Sequence, residues 1–434
     1  MFALIKTKME GSLTESVQQL VRPGMATDLY YPDSETAGKQ AFRTSQTTRF
    51  TQAFTTTGAG GGVSSFQIPP ANGVQDVICT FSLPVGALSN LAVPLGWGYA
   101  LIKQISYRYG GSTQYFLSGQ QVLQAALAQA ADAGSRDALL QLGGQATSGN
   151  GFATEQSAYV WLPLPHCSPS VVSKPPPFPS DLLTSSIQVT VELFPLATIF
   201  SIGSSGSLAT VPSGLSRAIF AVQQVIFDNQ SDCLARRIDM TQNALSYPIK
   251  WRQQEVPVSV GSQTPSAQNT ISINLTGFAS GEVKEIHAWC TRDEDTPTPA
   301  AGAVQNPFNW YALQDVEMSY SGLVYAKADV NSMQLWNLVN GRIPALVNKS
   351  SVVAANPPTF TADSATWSVL QFGQAFDPIT AHSMYVAGVP ILNGIVNLKF
   401  KLPPSAPAGS YTLHTSYVYN AVLSLSQGSC GLIL

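Results

Sequence analysis

The sequence has few charged residues. Asp, Glu, Lys and Arg make up 11% of its 434 residues, against about 25% in an average soluble domain. The 22 basic and 25 acidic residues give a formal net charge of −3, and Arg236-Arg237 is an isolated basic pair. This balance argues against nucleic-acid binding, which normally needs a basic excess or stripe. So little charge would leave a lone chain poorly solvated, and we expect much of its surface to be buried against copies of itself.

Long apolar runs and paired cysteines are also missing. No segment offers the ~18 uninterrupted apolar residues of a spanning helix. The first residues contain Lys6 and Lys8 and lack a signal-peptide core. The three Asn-X-Ser/Thr sequons are therefore interpreted as chance matches. The five cysteines are odd in number and widely spaced, which predicts free thiols in a reducing compartment. They are Cys79, Cys167, Cys233, Cys290 and Cys430.

Residue types that build catalytic or metal sites do not converge in the sequence. The histidines share no metal-ligand spacing, which favours structural roles. The acidic run 292–295 lacks the glycine spacing of a calcium loop and is interpreted as a solvated turn. The glycines at 58–62 lack the Lys-Ser/Thr of a phosphate loop. We therefore predict no catalytic residue, no metal ligand, no cofactor and no enzymatic activity. The histidines are His166, His287, His382 and His414.

What the sequence does contain is a series of short apolar segments separated by Gly and Pro. Their enrichment in Val, Ile, Thr, Tyr and Phe predicts strands punctuated by turns. Apolar spacing within 118–142 instead predicts two short helices, divided at Gly134-Ser135. A capping-box pattern over 12–15 predicts another short helix near the N-terminus. The predicted strands lie within 66–84, where Asn72-Gly73 forms a turn, and at 99–109, 159–164, 187–193 and 218–227.

The second half of the sequence repeats the order of the first. Five loosely similar segments recur at a spacing close to half of the chain length, which predicts duplication of one structural unit. Each unit has the size of a sandwich of about eight strands, closed by jelly-roll or Greek-key connections. We predict an N-terminal arm at 1–60, a first sandwich at 61–235 and a second at 236–434. The matched pairs are 74–80 with 283–289, 99–101 with 311–313, 105–107 with 318–320, 118–124 with 331–337, and 187–193 with 396–402.

Four segments contain distinctive motifs, namely YVWLPLPHC at 159–167, PFPSDLLTSSIQVTVEL at 177–193, VQDVICTFSLP at 74–84 and YTLHTSYVYNAVL at 411–423. These motifs resemble those of a known family, the double jelly-roll major capsid proteins of the tectivirus, adenovirus and nucleocytoplasmic large DNA virus lineage. The likeness is at the level of pattern and spans most of residues 60–430. It implies an all-β fold of two tandem eight-stranded jelly rolls with short helical insertions. It also implies a structural protein whose three chains form a pseudo-hexameric capsomer that tiles an icosahedral shell.

The resemblance further implies partners and a location. The partners would be other copies of the chain in a homotrimer and in neighbouring capsomers, and minor capsid or penton proteins. The N-terminal arm would touch an internal membrane or its proteins, without sequence-specific nucleic-acid binding. The location would be the capsid shell of the virion, after synthesis in the host cytoplasm or nucleus. The longest insertions, 112–158 and 323–382, are expected to form outward towers.

Two other functions stay open at this point. A tandem β-sandwich lectin or receptor-binding spike would need exposed aromatic residues, and four aromatics near strand ends are candidates for a glycan-stacking platform. Their occurrence in both halves favours core packing instead. A glycan-cleaving sandwich enzyme would need paired carboxylates. Glu192 and Glu317 lie near predicted strands, but no spacing pairs them. The four aromatics are Trp97, Tyr99, Trp310 and Tyr311.

Overall fold

The protein forms two β-sandwiches in tandem. In the computed structural model, one lies between residues 45 and 227 and the other between 245 and 433. Within the described part of the chain, strands of one sandwich pair only with strands of the same sandwich. The described residues are 45–84, 86–89, 91–110, 113–129, 133–145, 150–152, 155–165, 177–202, 211–227, 245–254, 256–276, 281–295, 310–328, 368–371, 389–391 and 394–433.

The first sandwich consists of two four-stranded antiparallel sheets. Its strands are β1 (Ser45–Ala53), β2 (Gly62–Ile68), β3 (Gly73–Leu83), β4 (Gly86–Ser89), β5 (Leu91–Ala92), β6 (Ile102–Tyr109), β7 (Thr113–Ser118), β8 (Asn150–Phe152), β9 (Gln156–Leu162), β10 (Ile187–Leu193), β11 (Ser201–Ile202) and β12 (Arg217–Phe227). One sheet has the order β1-β12-β3-β9 and the other β2-β10-β6-β7, with β11-β5 and β4-β8 as small separate pairs. Because β1 pairs with the late strand β12, the sandwich is closed by connections between distant parts of its sequence.

The second sandwich repeats this arrangement. Its strands are β13 (Leu245–Gln254), β14 (Val258–Gln263), β15 (Ile271–Leu275), β16 (Gly281–Arg292), β17 (Trp310–Ala312), β18 (Gln314–Tyr320), β19 (Leu323–Ala328), β20 (Ser368–Gln371), β21 (Val389–Ile391), β22 (Val396–Lys401), β23 (Gly409–Ser426) and β24 (Ser429–Ile433). One sheet follows β13-β23-β16, and β20 pairs with the free side of β16; the other follows β15-β22-β18-β19. The strands β14, β17, β21 and β24 extend the first of these sheets.

The eight main strands of the two sandwiches therefore have the same order. The order β1-β12-β3-β9 corresponds to β13-β23-β16-β20, and β2-β10-β6-β7 corresponds to β15-β22-β18-β19. Two facing four-stranded sheets connected in this way are a jelly roll. The predicted all-β fold of two tandem jelly rolls is thus confirmed. Three of the five matched segments, those in β3 and β16, in β6 and β18, and in β10 and β22, fall on corresponding strands.

A shared irregularity in register strengthens this correspondence. The pairing of β12 with β3 shifts between Val222 and Gln224. The pairing of β23 with β16 shifts between Val283 and Glu285, at the position that the repeat aligns with the first shift. Such bulges locally bend a strand and raise its twist. The two halves thus share a local distortion as well as a strand order.

The α-helices among the described residues lie in the first half and correct one strand prediction. They are α1 (Trp97–Leu101), α2 (Gly119–Gln129) and α3 (Ala133–Leu142). The predicted strand 99–109 starts only at Ile102, because 99–101 belong to α1, which is buried on all sides. A short apolar run fits a buried strand or a buried helix equally well. The two helices predicted within 118–142 are confirmed, although Gly134-Ser135 lies in the first turn of α3.

The first sheet begins inside the range predicted as an arm. Strand β1 pairs along its whole length with β12, which places residues 45–53 in the sandwich. Its sequence, SQTTRFTQA, is mostly polar because it is an edge strand, so it lacks the apolar alternation that marks a half-buried strand. The capping box at 12–15, the segment 331–337, and most of the insertion expected at 323–382 lie outside the described residues.

Each sandwich encloses an apolar core between its two sheets. The strand alternation is clean in β10, where every second residue from Ile187 to Leu193 is buried. Aromatic pairs fill the first core, such as Phe66 and Phe220, whose rings stack at 4.2 Å. Across the described residues, no helix is long and apolar enough to cross a membrane.

Candidate functional site

The two histidines that the structure describes sit within the sheet of the second sandwich. His287, on β16, is buried, and its Nε2 lies 3.1 Å from Oε2 of the buried Glu285. Both side chains point away from the core of their own sandwich, since strand alternation directs their neighbours Ile286 and Ala288 inward. His166 and His382 lie outside the described residues.

His414 lies on β23 beside Trp289 of β16. Its imidazole stacks on the indole with ring centroids 5.3 Å apart, and its Nε2 is 2.9 Å from the Thr291 hydroxyl. Burial lowers the pKa of His414 to about 4, which the nearby Asp293 carboxylate partly opposes. The imidazole is therefore neutral near pH 7 and serves as a packing group.

The acidic run at 292–295 forms a turn, as predicted. Asp293–Asp295 is a short 3-10 helix at the end of β16. Its carboxylates accept hydrogen bonds from β23: the Thr412 hydroxyl donates to Asp293 and the Ser410 backbone N–H to Glu294. The Ser410 bond, with help from Arg292, lowers the pKa of Glu294. The run thus fastens two strand ends together.

The carboxylates of Glu192 and Glu317, which the sequence offered as possible catalytic groups, each form an ion pair with lysine. Glu192 accepts from Lys103 at 2.7 Å. Glu317 accepts from Lys399 at 3.1 Å and lies 3.3 Å from Lys327, and the Lys399 bond chiefly lowers its pKa. These exposed pairs stabilise the sheet surface modestly and provide no second carboxylate for glycoside hydrolysis. Among the residues that the structure describes, no group of three His, Cys, Asp or Glu could hold a metal ion.

The four aromatics considered as a glycan platform are core residues, which confirms that interpretation. Trp97, Tyr99 and Trp310 have no exposed surface, and Tyr311 is 3% exposed. Trp310 packs on Trp289 with centroids 5.9 Å apart. An aromatic platform for a sugar must present ring faces to solvent, and these rings do not.

The most elaborate contact outside the two cores joins the two sandwiches. The β6–β7 hairpin of the first packs on the β13 edge of the second, where the rings of Tyr115 and Trp251 are 4.7 Å apart. The backbone of Arg252 hydrogen-bonds the Tyr115 hydroxyl, and the Arg252 guanidinium donates to the Ser416 hydroxyl at 3.2 Å. Burial lowers the pKa of Arg252 and raises that of Tyr115.

A second group of contacts extends this joint. The Trp289 indole N–H donates to the Gln120 side chain, at the start of α2, over 3.0 Å. The backbone N–H and the hydroxyl of Thr184 both donate to the Gly428 carbonyl, at 2.9 and 3.0 Å. The turn between β23 and β24 is thereby anchored on the first sandwich. The joint thus combines an edge strand, a helix and a hairpin turn.

The second sandwich has an equivalent hairpin whose apolar side chains are exposed. The β18–β19 hairpin carries exposed apolar side chains: Leu323 is 64% exposed, Val324 55% and Tyr325 40%. Ile395, just before β22, adds another, 58% exposed. We call these four residues the hairpin patch. Single exposed apolar residues are common on proteins, but four of them within the β19-β18-β22 part of one sheet make a candidate interaction surface.

Sequence reasoning did not identify the joint residues. One signal existed: Trp251 and Arg252 are consecutive on a strand, so their side chains point to opposite faces, yet both are bulky or charged. Both are buried, at 7% and 6% exposure. Burial on both faces means that the strand is covered from both sides. The sequence alone does not show which element packs on the second face of the strand.

Structural comparison finds similar folds where sequence comparison finds no match. No protein-family model matches the chain, and no curated protein matches its sequence. PBCV-1 VP54, fitted into a cryo-EM reconstruction of the virophage Sputnik, superposes with a TM-score of 0.64 at 14% identity, over 89% of this chain and 96% of VP54. The Sputnik virophage cryo-EM structure gives 0.55 at 10% identity, with 89% and 88% covered. The mavirus major capsid protein gives 0.50 at 11% identity, with 90% of both covered.

At such low sequence identity the comparisons establish similarity of fold. They cover nearly nine tenths of the chain, including both sandwiches. The strand orders found here independently describe two jelly rolls. The chain has the double jelly-roll fold of viral major capsid proteins.

Proposed function

We propose that this protein is the major capsid protein of an icosahedral DNA virus and that it has no catalytic role. The observation that carries the proposal is the joint between two topologically identical sandwiches, found in a fold whose structural relatives include a named major capsid protein. Two fused copies of one unit, held by a buried contact, form a building block with two similar sides. Such a block suits a shell made of repeated contacts.

The proposed assembly is a trimer with a pseudo-hexagonal outline. A hexagonal tile needs six similar units, which three chains of two sandwiches supply. The two jelly rolls are proposed as separate units with their boundary at residue 235. Threefold closure requires the first sandwich of one chain to contact the second sandwich of the next, head to tail.

The composition of the surface supports permanent assembly. Charged residues are only 11% of the sequence, and the hairpin patch is apolar and exposed. Permanent interfaces bury about 2,000–5,000 Å² and are comparatively apolar. A shell contact of this kind would remove the exposed apolar area from water.

The proposal includes further partners and a location. Neighbouring capsomers and minor capsid or penton proteins would contact the outer flanks of the trimer. Residues before Ser45 would form the arm that touches an internal membrane or its proteins. The protein would be located in the virion shell, and its tower loops would lie in the insertions that follow β7 and β19. Both insertions connect corresponding strands of the two jelly rolls, which supports a common role.

Mass photometry of the purified full-length chain tests the proposal. A particle of three times the chain mass of 46.1 kDa is expected, and negative-stain images should show pseudo-hexagonal outlines. A sharp monomer peak at micromolar concentration would contradict the capsid proposal. It would instead favour the binding-module alternative, a lectin or receptor-binding spike, which glycan-array binding would then examine.

A further inference from the structure

We infer that the hairpin patch of one chain docks on the β1 edge of the next chain and repeats, between molecules, the joint that links the two sandwiches within one molecule. This inference rests on the proposed trimer, and it adds which surfaces meet. The internal joint supplies the template, because both of its partners have topological counterparts that face outward in the same chain.

The first counterpart is the hairpin. Strands β6 and β7 correspond to β18 and β19, the neighbouring strands at the free edge of each sheet. Each hairpin carries a tyrosine pair that spans its two strands: Tyr107 and Tyr115 lie with ring centroids 6.0 Å apart, and Tyr320 and Tyr325 6.3 Å apart. In the internal joint Tyr115 is 3% exposed, whereas Tyr325 is 40% exposed. The second hairpin therefore has an equivalent tyrosine pair, but no other sandwich packs on its Tyr325 among the described residues.

The second counterpart is the edge strand that receives the hairpin. Strand β1 corresponds to β13, and the shared bulge fixes their register. Arg252 pairs with Val418 and Arg49 pairs with Gln223, and Val418 and Gln223 are the equivalent residues at the two bulges. The arginines therefore occupy the same position in the two halves. Arg252 is buried beneath the first hairpin, whereas Arg49 is exposed.

The sheet faces beside these arginines differ in part. In the second sandwich the outward face beside β13 includes Glu285, His287 and Ser416, all of which are buried at 2% exposure or less. In the first sandwich the outward face beside β1 is mixed: Ile219 and Gln223 are half-buried, whereas Ala221 is 3% exposed and Asp76 8%. On the second face, Arg252 and Trp289 contact Tyr115 and Gln120 of the first sandwich. On the first face, Arg49 is exposed and Ile219 and Gln223 are half-buried, and a second chain would cover them.

The internal joint also indicates which sandwich contributes the hairpin and which contributes the edge strand. In the internal joint the first sandwich gives the hairpin and the second gives the edge. The outer contact reverses these roles, since β19 belongs to the second sandwich and β1 to the first. Each chain therefore offers one hairpin and one edge, which is the heterologous arrangement that closes into a ring.

Site-directed cross-linking tests the contact directly. The double variant Arg49→Cys/Tyr325→Cys, in a chain with Cys167→Ser and Cys233→Ser, is treated with a short bis-maleimide and run on a denaturing gel. Covalent dimers and trimers are expected. The control replaces Tyr325→Cys by Phe116→Cys, because Phe116 is 47% exposed on the hairpin that is already docked within the chain. The control should stay largely at the monomer position.

A charge substitution provides the second measurement. Leu323→Asp should raise the concentration of half-assembly by about tenfold or more, because the interface would bury an unpaired charge. Val63→Asp is the matched control, since Val63 is 52% exposed on β2, away from the patch. A wild-type trimer that neither cross-links nor responds to Leu323→Asp would overturn this inference and leave the proposed function standing. A wild-type monomer would overturn both.

Discussion

Trp289 of the second sandwich donates its indole N–H to the side-chain oxygen of Gln120 in the first, over 3.0 Å. Trp289 otherwise packs within its own sandwich, against Trp310 and His414. This single bond connects the aromatic cluster of one half with the helix α2 of the other. The loss of stability when this bond is removed therefore measures how strongly the two jelly rolls are coupled.

Gln120→Leu should destabilise the joint. The substitution leaves the largely buried indole N–H of Trp289 without its acceptor, which costs about 1–3 kcal/mol. Chemical denaturation followed by tryptophan fluorescence would measure the change. Gln141→Leu is the matched control, because Gln141 is an exposed residue of α3 and its replacement should change stability little. Equal effects of the two substitutions would show that the bond does not couple the halves.

Stability should fall as the pH drops from about 6.5 towards 4, and His414 should account for part of the fall. Burial lowers the pKa of its imidazole to about 4 in the folded state, against about 6.5 in the unfolded chain. The unfolded chain binds the extra proton in this window, so the His414 contribution is present above pH 6.5 and lost on acidification. The contribution is at most about 3 kcal/mol.

Denaturation curves at pH 7.5, 6 and 4.5 would measure this dependence. His414→Gln should reduce the slope between pH 6.5 and 4 relative to the wild type. The carboxyls of Glu294 and Glu317 also have lowered pKa values, but their contributions are lost at more acidic pH. Identical slopes for the two proteins would contradict the assignment to His414.

Most of the sheet framework could be predicted from the sequence, because the buried strands show alternation. Strand β10 runs from Ile187 to Leu193, as predicted, since apolar residues occupy every second position between turn signals. Strand β1 could not be found in the same way. Its residues are mainly Thr, Ser and Gln because it lies at a sheet edge, and its pairing partner β12 is distant in sequence.

The joint between the sandwiches was beyond sequence reasoning for a different reason. Tyr115, Trp251 and Arg252 are ordinary strand residues, and their importance comes from contact across two separately folded units. Internal repetition could predict that the two units exist and are alike. The repetition does not predict how one sandwich is oriented on the other.

The described cysteines should be unreactive in the folded protein. Cys79, Cys290 and Cys430 are buried, and burial raises the thiol pKa of Cys79 and Cys290, so the reactive thiolate is suppressed. In the variant Cys167→Ser/Cys233→Ser, a thiol reagent such as DTNB should give no rapid reaction under native conditions and three thiols in denaturant. Rapid native reaction would mean that at least one of these strands opens readily.

The turn that anchors the second sandwich on the first can be tested with a pair of glycines. Gly428 and Gly322 both occupy hairpin turns with positive φ, +79° and +80°. A methyl group on Gly428 would lie 2.3 Å from Cγ2 of Thr184 in the other sandwich, whereas one on Gly322 would meet nothing within 4 Å. Alanine at either site carries the same backbone strain, of about 1–3 kcal/mol.

Gly428→Ala should therefore destabilise the protein more than Gly322→Ala does, because only the first substitution also pushes the turn away from Thr184. Measured on the unassembled chain, where the hairpin patch is not docked, the difference in the free energy of unfolding isolates the docking contact, since the strain common to both variants cancels. Thr184→Ser in the Gly428→Ala background removes the clashing methyl group and keeps the hydroxyl that donates to the Gly428 carbonyl, so it should recover part of the loss. Equal destabilisation by the two alanines, with no recovery, would mean that the β23–β24 turn contributes nothing to holding the two jelly rolls together.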